Sequence, residues 1–195
     1  MQKQNTININ RVYPICEHSL YFDGCSKGNP GPAGIGAVIC KNDNEISQCS
    51  ENIGIKTNNE SEYCALIIGL ETAVKLNIKA LCVYGDSLLV INQVNNIWNV
   101  KNEKLFKLYE KVVVLKGLFN YIIFTHVYRS NNKRADQLAN FGLTKNIHNN
   151  DELYDEKEDD YIQVLDIDWK EETSVNKFNN IKKVKINPFF PSIKK

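Results

Sequence analysis

Four acidic side chains stand far apart along the chain, each in a different predicted element: Asp23, Glu62, Asp86 and Asp136. Carboxylates gathered in one cleft repel one another unless cations neutralise them. Magnesium suits such a cleft because it prefers hard oxygen ligands and keeps several of its waters. Two such ions about 3.5–4 Å apart can activate a water and stabilise the leaving oxygen of a phosphodiester. The four acids therefore indicate metal-dependent phosphodiester chemistry, provided that the fold brings them together.

Each acid also allows an ordinary structural interpretation. Asp23 precedes a glycine and could belong to a turn. Glu62 stands three residues after an asparagine, as in a capping box, and Asp86 precedes a serine, where it could cap the next helix. Asp136 could be a solvated acid on a helix. One acid alone does not decide between these alternatives.

The first part of the core predicts three antiparallel strands. His18–Cys25 has a strand-like alternation, and a turn rich in glycine and proline separates it from Ala33–Lys41. A tight turn at Asp43 then leads to the third strand, Glu45–Ile53. Because the connections are short, these strands should form a meander.

Helices and two further strands follow the meander. Helices are predicted over residues 59–76, 87–95, 105–118 and 132–143, and strands over 80–85 and 120–127. This order predicts an α/β fold with a five-stranded mixed sheet, in which three antiparallel strands precede two parallel ones and helices cover both faces. Ligands of open sheets gather outside the carboxyl ends of the strands, near a reversal in strand order. The four acids could meet there.

The segments around the four acids resemble a known family. They read D-G-C-S-K-G-N-P-G-P-A-G from Asp23, T-N-N-E-S-E-Y from Thr57, Y-G-D-S around Asp86 and N-K-R-A-D-Q-L-A from Asn132. All four, in this order, resemble the motifs of type 1 ribonuclease H over about residues 18–144. The short stretch from Trp98 to Lys107 has little of the basic, tryptophan-rich character of the insertion found in many bacterial members. It resembles the shorter plant-like or archaeal-like branch.

The resemblance implies an activity and a set of metal ligands. The family cuts the RNA strand of RNA–DNA hybrids and leaves 5′-phosphate and 3′-hydroxyl ends. Asp23, Glu62, Asp86 and Asp136 would hold two Mg²⁺ ions, for which Mn²⁺ could substitute. The motif selects Glu62 over Glu60, because the family's acid lies five residues after the threonine. A role in DNA replication, such as removing RNA primers, is expected.

The resemblance also assigns substrate contacts. Asn29 would touch the DNA strand, and Asn58 would help to read the RNA strand, whose 2′-hydroxyls distinguish it from DNA. Thr57 resembles the threonine of the family's phosphate pocket, and Asn102 would assist it.

Two cations near the last acid could act in catalysis. His126 lies ten residues before Asp136, the spacing of a histidine that helps proton transfer or product release in many family members. It also ends an apolar strand and could be a structural histidine. Arg129, seven residues before Asp136, could bind the scissile phosphate or merely a surface acid.

Two rival functions are compatible with a chain of this kind. One is a hybrid-binding module that has lost catalysis, and the intact set of four acids argues against it. The other is a related nuclease, such as a junction resolvase or the nuclease domain of a reverse transcriptase. The T-N-N motif argues against that alternative.

Composition and charge divide the 195 residues into four predicted regions: a polar lead-in (1–17), a nuclease domain (18–145), an acidic linker (146–172) and a basic tail (173–195). Residues 1–145 carry 16 basic and 12 acidic side chains, a mildly basic balance that permits nucleic-acid binding.

No apolar run reaches the roughly 18 residues of a membrane span. Six cysteines without close pairing indicate a reducing compartment. A monomer in the cytoplasm, the nucleus or a viral replication site is expected.

The basic tail contains a possible partner-binding motif. Ile186 precedes the aromatic pair Phe189 and Phe190 by three residues. This spacing resembles the PCNA-interacting peptide, in which an aliphatic and two aromatic side chains fill a pocket on a sliding clamp. Alternatively, the phenylalanine pair packs on its own domain.

Overall fold

The computed structural model describes residues 16–145. The predicted lead-in up to residue 15, the acidic linker and the clamp-binding motif lie outside the described residues. The described elements are five strands and four α-helices, with one 3-10 turn (Arg129–Asn131) before the last helix. In chain order they are β1 (His18–Ser26), β2 (Gly31–Lys41), β3 (Asn44–Lys56), α1 (Asn58–Lys75), β4 (Ala80–Gly85), α2 (Leu88–Val94), α3 (Glu103–Lys116), β5 (Tyr121–His126) and α4 (Lys133–Thr144).

The five strands form one mixed sheet in the order β3-β2-β1-β4-β5. The pairs β1–β2 and β2–β3 are antiparallel, whereas β1–β4 and β4–β5 are parallel. The predicted sheet is therefore confirmed. Phe22 of β1 lies opposite Gly85 of β4, so Asp23 and Asp86 follow at the same level of two neighbouring parallel strands.

Helices cover both faces of this sheet, as predicted. On one face α1 packs against β1, and the main core contains Leu20 and Phe22 from the strand with Leu66 and Leu70 from the helix. On the other face α4 packs across β1, β2 and β3, where Leu138 meets a small apolar cluster. The sheet thus holds α1 and α4 in place from opposite sides.

A glycine of β2 sets how closely α4 approaches the sheet. A Cβ atom on Gly36 would lie 2.3 Å from the carbonyl oxygen of Ala135 and 2.4 Å from the amide nitrogen of Ala139. Only a residue without a side chain permits this approach. Because Gly36 pairs with Asp23 in the sheet, the contact also brings the first turn of α4 close to the level of Asp23.

The connection between α2 and α3 is short. It spans residues 95–102, and α3 begins directly after Asn102, whose side-chain oxygen accepts a hydrogen bond from Leu105 N at 3.1 Å. No basic insertion separates these two helices, as the sequence predicts. In the part of the chain from 16 to 145, none of the helices is long and apolar enough to cross a lipid bilayer.

Candidate active site

Three of the four predicted acids meet at the carboxyl ends of β1 and β4. Asp23, Glu62 and Asp86 each offer one carboxylate oxygen, and these three atoms lie within 4.8 Å of one another. Asp23 and Glu62 are each only 6% exposed. The three side chains come from a strand, a helix and the end of a second strand, so the tertiary fold alone assembles them.

The start of α1 explains why Glu62 is free to join this cluster. The helix begins at Asn58 with Thr57 as its N-cap, and Glu60 closes the capping box: its Oε2 accepts hydrogen bonds from Thr57 N (2.8 Å) and Thr57 Oγ1 (2.6 Å). The alternative in which Glu62 caps the helix is therefore wrong. Glu62 lies two residues further along α1, just past the first turn, beside Asp23 and Asp86.

A glycine in β1 brings this first turn to Asp23. A Cβ atom on Gly24 would lie 2.2 Å from the amide nitrogen of Glu62, so any larger residue would push α1 away from the strand. The backbone of Gly24 also hydrogen-bonds to the carboxylates of Asp23 and Glu62. Asp23 itself pairs with Gly36 inside the ladder, which rules out the turn interpretation for this acid.

Asp86 is likewise not a helix cap. The N-cap of α2 is Ser87, whose hydroxyl oxygen accepts a hydrogen bond from Val90 N at 3.5 Å. Asp86 lies one residue earlier, at the end of β4, where its Oδ1 accepts a hydrogen bond from Asn132 Nδ2 at 2.8 Å. Its carboxylate therefore remains directed to the acidic cluster.

Burial and mutual repulsion disfavour the charged forms of these acids. Burial, followed by the charges of Asp86 and Asp136, raises the pKa of Asp23 to about 7. Burial, with the charges of Asp23 and Asp86, also raises the pKa of Glu62 well above its usual range. Among the described residues, Glu62 Oε2 is buried without a hydrogen-bond partner. Closely spaced carboxylate oxygens, one of them unpartnered, fit a hard divalent cation.

Asp136 lies beside this cluster rather than in it. It sits in the first turn of α4, and its Oδ1 accepts a hydrogen bond from Arg129 Nη2 at 2.5 Å. In the described part of the chain it does not belong to the group of three mutually close carboxylates. Its charge still raises the pKa of Asp23. The structure thus brings three of the four predicted ligands together and places the fourth next to them, paired with a guanidinium.

The two further residues predicted to act in catalysis, His126 and Arg129, are both exposed. His126 is exposed at the end of β5, and its Nε2 lies 3.3 Å from the backbone oxygen of Asp86. Its ring makes an edge contact with Tyr128 and is not part of the core. The Arg129 side chain is 77% exposed, so both cations face the solvent from which a substrate would arrive.

A cleft of about 520 Å³ brings predicted substrate residues together. Asn29, Thr57 and Asn102 line it, together with Lys56 and Lys104. Asn58 adjoins the cleft, because its backbone nitrogen donates a hydrogen bond to Asn29 Oδ1 at 3.1 Å.

One cleft residue was not anticipated as part of this surface. Glu60 lines the cleft, and its carboxylate accepts the hydroxyl hydrogen of Thr57. Burial alone would raise the pKa of Glu60, but the two hydrogen bonds from Thr57, with Lys56 and Lys104 nearby, lower it overall. The Thr57 hydroxyl is thus engaged within the capping box, and this carboxylate is held charged at the cleft.

Comparison with known proteins identifies the family. A family model described as "Reverse transcriptase-like" matches residues 21–142. "Ribonuclease HI" of Halobacterium salinarum is 40% identical over 124 residues, which are 63% of this chain and 62% of that protein. The chain belongs to the type 1 ribonuclease H family. The crystal structure of one ribonuclease H, LC11-RNase H1 in complex with an RNA/DNA hybrid, matches with a TM-score of 0.62 at 34% identity, over 65% of this chain and 96% of that one.

Some relatives of this chain are longer proteins. A "bifunctional protein" of Mycobacterium tuberculosis is 44% identical over 120 residues, which are 60% of this chain. Those residues make up 33% of the mycobacterial protein, so the chain spans about a third of that relative's length.

Sequence reasoning missed one residue of the candidate site. Asn132 is buried to 1% exposure, and its Nδ2 donates to the carbonyl oxygen of Phe22 at 2.9 Å as well as to Asp86. The available signal was its place in the closing motif, four residues before Asp136. Nothing in the local sequence shows that this asparagine reaches two strands.

Proposed function

We propose that this protein is an endonuclease that hydrolyses the RNA strand of RNA–DNA hybrids. The observation that carries the proposal is the convergence of Asp23, Glu62 and Asp86 at the carboxyl ends of two parallel strands in a ribonuclease H fold. The hybrid bound to LC11-RNase H1 supports the choice of substrate. Removal of RNA from hybrids during DNA replication is the proposed use.

The carboxylates would hold the metal ions. Asp23, Glu62 and Asp86 are close enough to share a cation, and Asp136, in the first turn of α4 beside the cluster, would complete the set. Two bound Mg²⁺ ions would supply charge neutralisation and the polarisation of water and phosphate that hydrolysis needs. The protein's own contribution is to hold buried acids in fixed positions, so that little rearrangement is needed when a cation arrives.

The cleft beside the cluster would bind the backbone of the hybrid. Its amide and hydroxyl groups, from Asn29, Thr57 and Asn102, can hydrogen-bond to sugar and phosphate oxygens. Lys56 and Lys104 add positive charge on the same wall. Recognition of 2′-hydroxyls by Asn58 would direct the RNA strand to the acids.

The exposed cations would meet the reacting phosphate. Arg129 can hydrogen-bond to phosphate oxygens once a substrate competes with Asp136 for its guanidinium. His126, whose Nε2 lies beside the backbone oxygen of Asp86, would assist proton transfer or product release at the same site. Replacing each by alanine and recording kcat against pH separates these roles. Loss of the acidic limb of the profile only in His126→Ala would assign proton transfer to this histidine.

The decisive experiment offers the full chain four labelled substrates: hybrid, RNA duplex, DNA duplex and single-stranded RNA. With Mg²⁺ we expect cleavage of the RNA strand of the hybrid only, and none in EDTA. Asp86→Asn should abolish turnover while hybrid binding persists, and the matched control Glu110→Gln, an exposed acid on α3, should behave as wild type. Cleavage of DNA duplex would favour a resolvase-like nuclease. Tight hybrid binding without cleavage would favour a binding module.

We propose in addition that the basic tail binds a PCNA-type sliding clamp. The spacing of Ile186, Phe189 and Phe190 supports this proposal. The full chain should bind such a clamp with a dissociation constant in the micromolar range, and the double variant F189A/F190A should not, whereas Ile193→Ala should bind normally. Equal binding of all three proteins, or none by the wild type, would remove the proposal.

A further inference from the structure

One buried side-chain amide connects the elements that carry the acids. Nδ2 of Asn132 donates to the carbonyl oxygen of Phe22 (2.9 Å), the residue before Asp23. It also donates to Oδ1 of Asp86 (2.8 Å). Its own backbone oxygen accepts from the amide of Asp136 at 3.1 Å. Thus one residue touches β1, the carboxylate after β4 and the first turn of α4.

The side chain of Asn132 does not cap α4, although its position at the start of the helix favours that role. Asn132 is the residue before α4, where an asparagine usually accepts a hydrogen bond from the second or third helical amide. Here it makes no side-chain cap bond. By pointing toward the sheet, the amide forgoes an N-cap hydrogen bond that would stabilise α4.

The other end of the amide carries a further cost to stability. Among the described residues, Oδ1 of Asn132 is buried without a hydrogen-bond partner. A buried acceptor left without a partner lowers the stability of the folded protein. The two hydrogen bonds that Nδ2 donates, to Phe22 and to Asp86, are therefore the contacts that hold this side chain in its orientation.

We propose that Asn132 is a positioning residue that presets Asp86 for metal binding; this rests on the proposed function. By engaging one oxygen of Asp86, the amide fixes the rotation of that carboxylate within the cluster. By anchoring to the peptide before Asp23, it also fixes the distance between the two strand ends. Partners that orient a metal ligand in this way typically change metal affinity by about 10–100-fold when removed.

The chemistry of the amide suits this position. An amide donor is neutral and remains protonated at all pH values, so it orients Asp86 without adding charge to a cluster that already contains three carboxylates. An aspartate of the same shape would lose both donated hydrogen bonds and add a further negative charge. Asn132→Asp therefore separates orientation from charge: if the donated hydrogen bonds set the Mg²⁺ affinity, this variant weakens Mg²⁺ binding even though it adds a negative charge near the site.

The test compares Asn132→Ala and Asn132→Asp with Asn131→Ala, which changes the exposed asparagine next to it. Mg²⁺ binding is measured by calorimetry without nucleic acid, and kcat and KM for the hybrid are measured over a range of Mg²⁺ concentrations. We expect Asn132→Ala to weaken Mg²⁺ binding about 10–100-fold, to lower kcat at limiting Mg²⁺ and to recover much of it at high Mg²⁺. The KM for hybrid should stay within about twofold of wild type, because the cleft is untouched, and Asn131→Ala should match wild type.

Two results would overturn the role of Asn132. One is an unchanged Mg²⁺ affinity in a folded Asn132→Ala protein. The other is a kcat loss that high Mg²⁺ does not relieve. If neither variant folds, the wild-type protein decides: the side-chain amide resonance of Asn132 should shift as Mg²⁺ saturates the site, and a resonance that does not move refutes the proposal. Failure of the wild type to cleave hybrid would instead refute the proposed function.

Discussion

Removing one charge from the acidic cluster should stabilise the metal-free protein. Asp23 is buried, and the neighbouring charges help to raise its pKa from 3.8 to about 7. Each pH unit of such a shift corresponds to about 1.4 kcal/mol. Keeping Asp23 charged in the folded protein therefore lowers the free energy of unfolding by about 4 kcal/mol at most. In D23N the new side-chain oxygen can still accept the Gly24 hydrogen bond, but the variant must bury a polar amide. We therefore expect D23N to raise the free energy of unfolding by about 2–4 kcal/mol at pH 8 in EDTA.

The sign of this effect depends on pH. A carboxyl group whose pKa is raised by folding favours the folded state fully below pH 3.8, and this contribution is lost as the pH rises through about 7. The stabilisation by D23N should therefore be large at pH 8 and small at pH 4.5. Urea unfolding followed by circular dichroism at both pH values measures it, with Glu110→Gln as control. A D23N protein that is destabilised equally at both pH values would refute the idea that repulsion strains this site.

Further predictions concern the metal, the first turn of α1 and the glycine beneath it. Mg²⁺ should raise the melting temperature more at pH 8 than at pH 5, because protons compete for Asp23, whose pKa is about 7; an equal rise at both pH values in thermal scans would contradict this. Thr57→Ala removes the capping box of α1 and should cost about 1 kcal/mol in urea titrations, while Thr57→Ser should be nearly neutral. Gly24→Ala places a methyl group 2.2 Å from Glu62 N, so it should lower stability by about 1–3 kcal/mol and weaken Mg²⁺ binding. A Gly24→Ala protein with wild-type melting and Mg²⁺ affinity would show that α1 can move away freely.

Local patterns were sufficient for the elements of this fold. Alternation, turn residues and helical spacing depend on neighbours along the chain, so all five strands and four helices were predicted, most of them to within a few residues of their bounds. The motif spacing also selected Glu62 rather than Glu60. The spacing also allowed a capping box between Asn59 and Glu62, whereas in the structure Thr57 and Glu60 form it. Helix α1 begins at Asn58, and this start makes Thr57 its N-cap. The same end of the helix lies in close contact with Gly24 of β1.

The sequence by itself determined which acids are involved and which strands and helices carry them, because both depend on residues that are close together along the chain. Only the tertiary structure decided how the acids are held. Asn132 reaches Phe22 across 110 positions and Asp86 across 46, and no local pattern encodes such contacts. Arg129 and Asp136 pair over only seven positions, but that Asp136 lies outside the group formed by the other three acids is again decided by the packing of α4 on the sheet. Hydrogen bonds and ion pairs between distant segments depend on the packed geometry of sheet and helices, which the chain acquires only when it folds.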